Sequence, residues 1–235
     1  MLRILFHEPR RKDSGKLLTA GNAIRGYLAV LHSKESKVPQ IQVQHHRFAI
    51  WSQSFIDALD ELEQSQYCSE QYAARIHDAF LEQMSPDELD DYRRFVYFYK
   101  NAFIRLFSIL DKLGFFLNEY FELKTETLKA RFSYFTVLRR MHQLHLHASL
   151  EQQLYDLKTV NKEPLDRLRN LRNMEIHSIN AEMLDDLSKE LSTFSSRIHV
   201  ENVKGNIEDL RIGFDMVCTT LTFAFTYITD KAAKG

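Results

Sequence analysis

FVYFYKNAFIRLFSILDKLGFFLNEYF, running from Phe95 to Phe121, keeps apolar residues at helical spacing for more than roughly six turns. Val96, Tyr99, Phe103, Leu106, Leu110, Leu113, Leu117 and Tyr120 recur every three or four positions, and only Gly114 interrupts them. A strand would alternate with period two and would be far shorter. Just upstream, Ser85-Pro86-Asp87-Glu88 reads as a capping box with proline at the first helical position, which fixes where this long helix starts.

The rest of the chain follows the same period. Phe48, Trp51, Phe55, Leu59 and Leu62 form one apolar stripe, with His45 and His46 read as loop residues ahead of it. A further helix is expected from Phe132 to about Leu157, and a shorter one from near Pro164 to about His177. Ser178 and Asn180 would cap another from Ala181 to about Ile198, and Asn206 would cap the last. No segment shows a strand pattern, so the chain is expected to be an all-α, up-and-down antiparallel bundle.

Composition narrows the class. Seven glycines and four prolines among 235 residues, without any low-complexity stretch, leave nowhere for a flexible linker. One continuous domain is expected, with 1–84 as an N-terminal helical extension packed on a bundle at 85–235. Thirty-one basic against 32 acidic residues give a net charge of −1, so any nucleic-acid surface must be local. The charge is segregated. Lys158 to Asn173 holds five basic and two acidic residues, and Lys124 to His147 holds five basic and one acidic. Cys68 and Cys218 make neither a zinc spacing nor a disulfide framework, which fits a reducing cytoplasm. The N-terminus lacks a signal-peptide run. Ile212 to Thr229 is the most apolar segment, but Asp215 and five threonines argue for a buried helix over a membrane span.

The chemistry-bearing stretch is LRNLRNMEIH, Leu168 to His177. Arg172 can hold a phosphate with two parallel hydrogen bonds, and a neutral imidazole at His177 can move a proton near neutral pH. The pair would suit RNA phosphodiester cleavage. The same residues also read as a surface arginine and a histidine relieving a helix C-terminal dipole. His142 and His145, at i and i+3, could share an ion, yet His147 falls elsewhere on that helix and no carboxylate or cysteine spacing completes a set. No metal ligand and no cofactor are expected. Phosphate loops, nucleophile elbows and dinucleotide fingerprints are absent from the sequence.

Arg172, Asn173 and His177 match the Arg-x(4–6)-His signature, with a polar residue after the arginine, of the HEPN superfamily (higher eukaryotes and prokaryotes nucleotide-binding domains). Ser108 to Phe121 resembles the long helix that precedes the motif in a bacterial branch of that superfamily. The resemblance covers Pro86 to Thr229. It implies an all-α bundle, homodimerisation through the motif-bearing helices, and metal-independent cleavage of single-stranded RNA of the stress or defence kind. His177 would act as general base or acid, Arg172 would stabilise the phosphorane, and Asn173 would orient the arginine or donate to phosphate. Arg167, Arg169, Arg139 and Arg140 would bind RNA. An antitoxin or nucleotidyltransferase partner is possible, and a non-catalytic RNA-binding or protein-interaction module with the same fold is the alternative. Residues five apart on an ideal helix lie about 140° apart around its axis. A shared face therefore requires the helix to end or distort between Arg172 and His177, or one subunit's histidine to approach the other's arginine.

Overall fold

The computed structural model describes residues 2–34, 38–177 and 202–234. Among these, seven α-helices and no strand appear. They are α1 (Gly15–Ser33), α2 (Pro39–Ala73), α3 (Pro86–Tyr120), α4 (Tyr134–Leu144), α5 (Ala148–Val160), α6 (Lys162–His177) and α7 (Val203–Lys234). The expected helix at 181–198 and its caps lie outside the described residues.

Contacts gather the chain into two compact units. Unit one is Met1–Arg11, Leu62–Arg105 and Lys162–Gly213; unit two is Lys12–Glu61, Leu106–Asn161 and Phe214–Gly235. The segments 1–84 and 85–235 each contribute to both units.

Unit one is tied together by aromatic rings and buried charge. Phe6 packs against Tyr67 and Tyr72 at 5.6 and 5.1 Å between centroids, and Tyr72 stacks on Phe98 of α3. Arg3 and Arg11 both bond Glu63 of α2. Burial alone would raise the Glu63 pKa, but the two guanidinium groups hold it below the usual carboxylate range. Phe95, Tyr99 and Phe103 of α3 are buried together with Leu165 and Leu168 of α6.

Unit two is organised by the polar residues of α3, which lie at 111, 114 and 118. Asp111 accepts the Tyr134 backbone N–H at 3.1 Å and so caps α4. Asn118 accepts the Thr125 N–H at 2.9 Å and donates to Glu126 at 3.0 Å, which fixes the turn after α3. Gly114 lets that chain come close, because a Cβ there would sit 2.8 Å from Tyr134 Cα and 2.9 Å from its nitrogen. Neither of those backbone atoms can move away without displacing the start of α4. Gly114→Ala is therefore expected to lower stability by about 1–3 kcal/mol, read as a shift of the denaturation midpoint. An unchanged midpoint would mean that α4 is not seated there.

Three expectations need correcting. The segment 132–157 is two helices, because His145 and His147 adopt left-handed backbone with φ of 52° and 54°. The His147 ring stacks on Phe121 at 3.8 Å, and its Nδ1 lies 3.0 Å from the Tyr227 hydroxyl, so tertiary contacts hold the break. His145 and His147 thus leave the helix that carries His142, whose Nδ1 meets Glu151 at 3.1 Å. His45 and His46 lie inside α2, which already begins at Pro39. The cap of α7 is Asn202, which accepts the Gly205 N–H at 3.1 Å, and Asn206 sits in the first turn.

The Ser85 box is made only on one side. Ser85 Oγ accepts the Glu88 N–H at 3.2 Å, while the Glu88 carboxylate turns back to the N–H groups of His77 and Asp78. On α7, residues 203–233 are long and apolar enough to cross a membrane, yet half of the most apolar window is buried. Thr219, Thr222 and Thr229 bond back to the carbonyls four residues earlier, which satisfies their hydroxyls within the helix.

Candidate functional site

Helix α6 carries the motif, and its register decides where each residue faces. Leu165 and Leu168 are 1% and 0% exposed, so they mark the packed face. Arg172 lies seven residues after Leu165 and four after Leu168, and Glu175 lies three further on, so both continue that same stripe. Both are half-buried. The face that begins as leucine ends in charge. Glu175 meets Lys100 of α3 at 3.1 Å, which ties the last turns of α6 to α3 within unit one.

The first half of the helix is held by a second pair. Arg167 forms two hydrogen bonds to Asp209 of α7, at 2.6 and 2.7 Å, in the forked geometry that suits a carboxylate. The Asp209 side chain is only 10% exposed, so the pair anchors one helix on the other. Two ion pairs, one to α7 and one to α3, thus fix the rotation of α6 about its axis.

The expected site residues are placed unevenly. Arg172 and Asn173 sit on adjacent positions of α6, the first half-buried and the second exposed. His177 is the last residue of α6, which remains α-helical from Lys162 onward. The helix therefore neither ends nor distorts between Arg172 and His177, and the two positions stay about 140° apart around the axis. Arg169 pairs with Asp166 at 2.8 Å on the same helix. Arg167, expected to bind RNA, commits its guanidinium to Asp209. Arg139 and Arg140 belong to unit two, on α4, where Arg139 is exposed and Arg140 reaches the Leu123 carbonyl at 3.4 Å.

Lys100 is the residue that sequence reasoning passed over. It stands inside the aromatic run of α3, one position after the buried Tyr99. The available signal was a lysine among rings with no acid within a helical turn of it. Its partner, Glu175, lies inside the motif, between Asn173 and His177. Chemically, the C-terminal turns of α6 bring together an arginine able to grip a phosphate, a polar neighbour and a histidine. A lysine–carboxylate pair backs them.

A bundle of helices in which one helix bears arginine, asparagine and histidine in this order defines a class, the HEPN domains. The model of the Cthe2314-like HEPN family matches residues 51–229, and the chain belongs to that family. The match takes in α2 from Trp51 onward, ahead of Pro86 where the resemblance in sequence was drawn. No curated protein and no solved structure matches the chain.

Proposed function

We propose that this HEPN domain is a metal-independent endoribonuclease for single-stranded RNA, acting as a two-fold dimer with the C-terminal turns of two α6 helices lining one cleft. The observation that carries this reading is the register of α6. Arg172 stays on the packed stripe beside the Lys100–Glu175 pair, and His177 ends the same unbroken helix about 140° away. Within one copy the two positions share no face. A two-fold partner brings a second arginine and a second histidine to the same cleft, where one copy's histidine can meet the other's arginine.

The chemistry follows from the residue types. The His177 imidazole takes the proton of a ribose 2′-hydroxyl as its oxygen bonds to phosphorus, then returns that proton to the departing 5′-oxygen. The products are a 2′,3′-cyclic phosphate and a 5′-hydroxyl. Arg172 stabilises the charge that builds on the phosphorane oxygens, and Asn173 steadies the arginine or donates to phosphate. No metal enters the step.

The second reading is a non-catalytic RNA-binding or protein-interaction module with an antitoxin or nucleotidyltransferase partner. Glu175 favours it. A carboxylate three residues after Arg172 and on the same stripe can occupy the guanidinium in place of phosphate. The two readings part in one assay, with single-stranded RNA incubated in EDTA and the product ends identified. Cleavage with cyclic-phosphate ends supports the nuclease. Binding without cleavage replaces it with the module.

A further inference from the structure

Unit two contains a cavity of about 190 Å³ that the motif helix does not touch. Its apolar wall includes Tyr27 and Leu31 of α1, Phe48 of α2 and Tyr120 of α3, and its polar lining includes Lys34 and His45. No aspartate or glutamate lines it. Two polar atoms here lack any hydrogen-bond partner among the described residues. They are the hydroxyl of Tyr27, whose side chain is only 1% exposed, and Nδ1 of His45. Buried hydrogen-bonding atoms left unmade are costly and uncommon, and two of them on one cavity mark a place built to meet a partner.

We propose that this cavity binds a small single-ring aromatic carboxylate, of the benzoate class. Size sets the first limit, since an apolar cavity of about 150 Å³ takes one benzene ring. The space here admits one ring with a short polar group. The wall sets the second. Tyr27, Phe48 and Tyr120 already meet edge to face, with centroids 5.5 Å apart for Phe48 and Tyr120 and 6.1 Å for Tyr27 and Tyr120. A further ring extends that cluster in its preferred geometry.

Charge sets the third limit. Lys34 is the one lining residue with a full charge, and its ammonium donates to the Ala232 carbonyl at 2.5 Å, which leaves two N–H groups for an anion. A carboxylate accepts from Lys34 and from the Tyr27 hydroxyl, and His45 Nδ1 supplies a further contact. A phosphate would bring a second charge with no arginine lining the cavity to match it. A neutral ring would leave both the ammonium and the hydroxyl without an acceptor.

Trp51 provides the readout. It is the only tryptophan, and its ring lies 6.1 Å from that of Phe48. Benzoate titrated into the full chain should give a saturable change in Trp51 fluorescence at millimolar concentration or below, with benzamide at least about tenfold weaker. Lys34→Met and Tyr27→Phe should each weaken benzoate by about tenfold or more. Tyr27→Phe keeps the ring and removes an unpaired hydroxyl, so its Tm should equal or exceed that of the wild type, which separates lost binding from lost folding. Absence of a saturable change, equal binding of benzamide, or unaltered affinity in either variant would overturn the proposal. RNA cleavage enters none of these measurements, so the site stands or falls independently of the nuclease reading.

Discussion

His177→Ala is expected to reduce RNA cleavage by about 10²–10⁴-fold, the usual range for removing a general acid–base group. The loss should appear in kcat, because the imidazole acts on protons in flight and adds little to RNA binding. Arg172 should matter comparably, by about 10²–10³-fold, as for removing one donor aimed at developing charge. The structure adds a condition on that second variant. Arg172 is half-buried on the packed stripe of α6, so Arg172→Ala carries a folding cost as well. Arg172→Lys retains the charge and most of the stem while losing the two-pronged grip, which makes it the cleaner probe of phosphate contact. Gel-based cleavage with a parallel Tm for each variant checks both. Wild-type rates in His177→Ala would remove the catalytic reading.

The largest stability effect is expected at Phe116. Its ring is fully buried and meets six others, from Tyr27, Phe48, Trp51, Phe55, Tyr120 and Phe225, at centroid distances of 5.2 to 6.2 Å. Those rings come from α1, α2, α3 and α7, so one side chain joins four helices of unit two. Phe116→Ala removes the transfer energy of the ring and leaves a cavity that six rigid neighbours cannot fill, at a cost of about 3–5 kcal/mol. Val160→Ala, at a position 82% exposed, should change stability by no more than about 0.5 kcal/mol. Denaturant midpoints at equal slope compare the two directly. A loss below about 1 kcal/mol at Phe116 would mean that this aromatic cluster does not form.

Much of the fold was legible because period and capping agree over long stretches. The run from Phe95 to Phe121 fixed α3, and Pro86 marked its first residue. The break at His145–His147 was not legible, because neither glycine nor proline announces it. It depends on the stacking of His147 against Phe121 and its contact with Tyr227, eighty residues away. Asn206 looked like a cap by residue type, yet the helix starts earlier at Val203. Gly205 gives Asn202 room to cap it, since a Cβ there would lie 2.5 Å from the Asn202 amide nitrogen.

The site was legible in its residue types and less so in its electrostatics. Charge counting along the sequence grouped Arg167, Arg169 and Arg172 as one basic surface. In three dimensions Arg167 is an anchor on Asp209 and Arg169 pairs along its own helix. Glu175 was visible only as the first of a run of acids, whereas it closes a pair with Lys100 from a different helix. Partners far apart in sequence decide which arginines can meet a ligand, and no spacing rule along α6 reports them.

The composite cleft is tested most directly by co-expressing Arg172→Ala and His177→Ala chains and measuring the mixed dimers. Each mixed dimer keeps one intact arginine and one intact histidine on opposite copies, and random pairing makes half the dimers mixed. A site built across the two-fold axis therefore predicts recovery to about a quarter of wild-type cleavage, with each variant alone nearly inactive. Activity no greater than the average of the two single variants would contradict it.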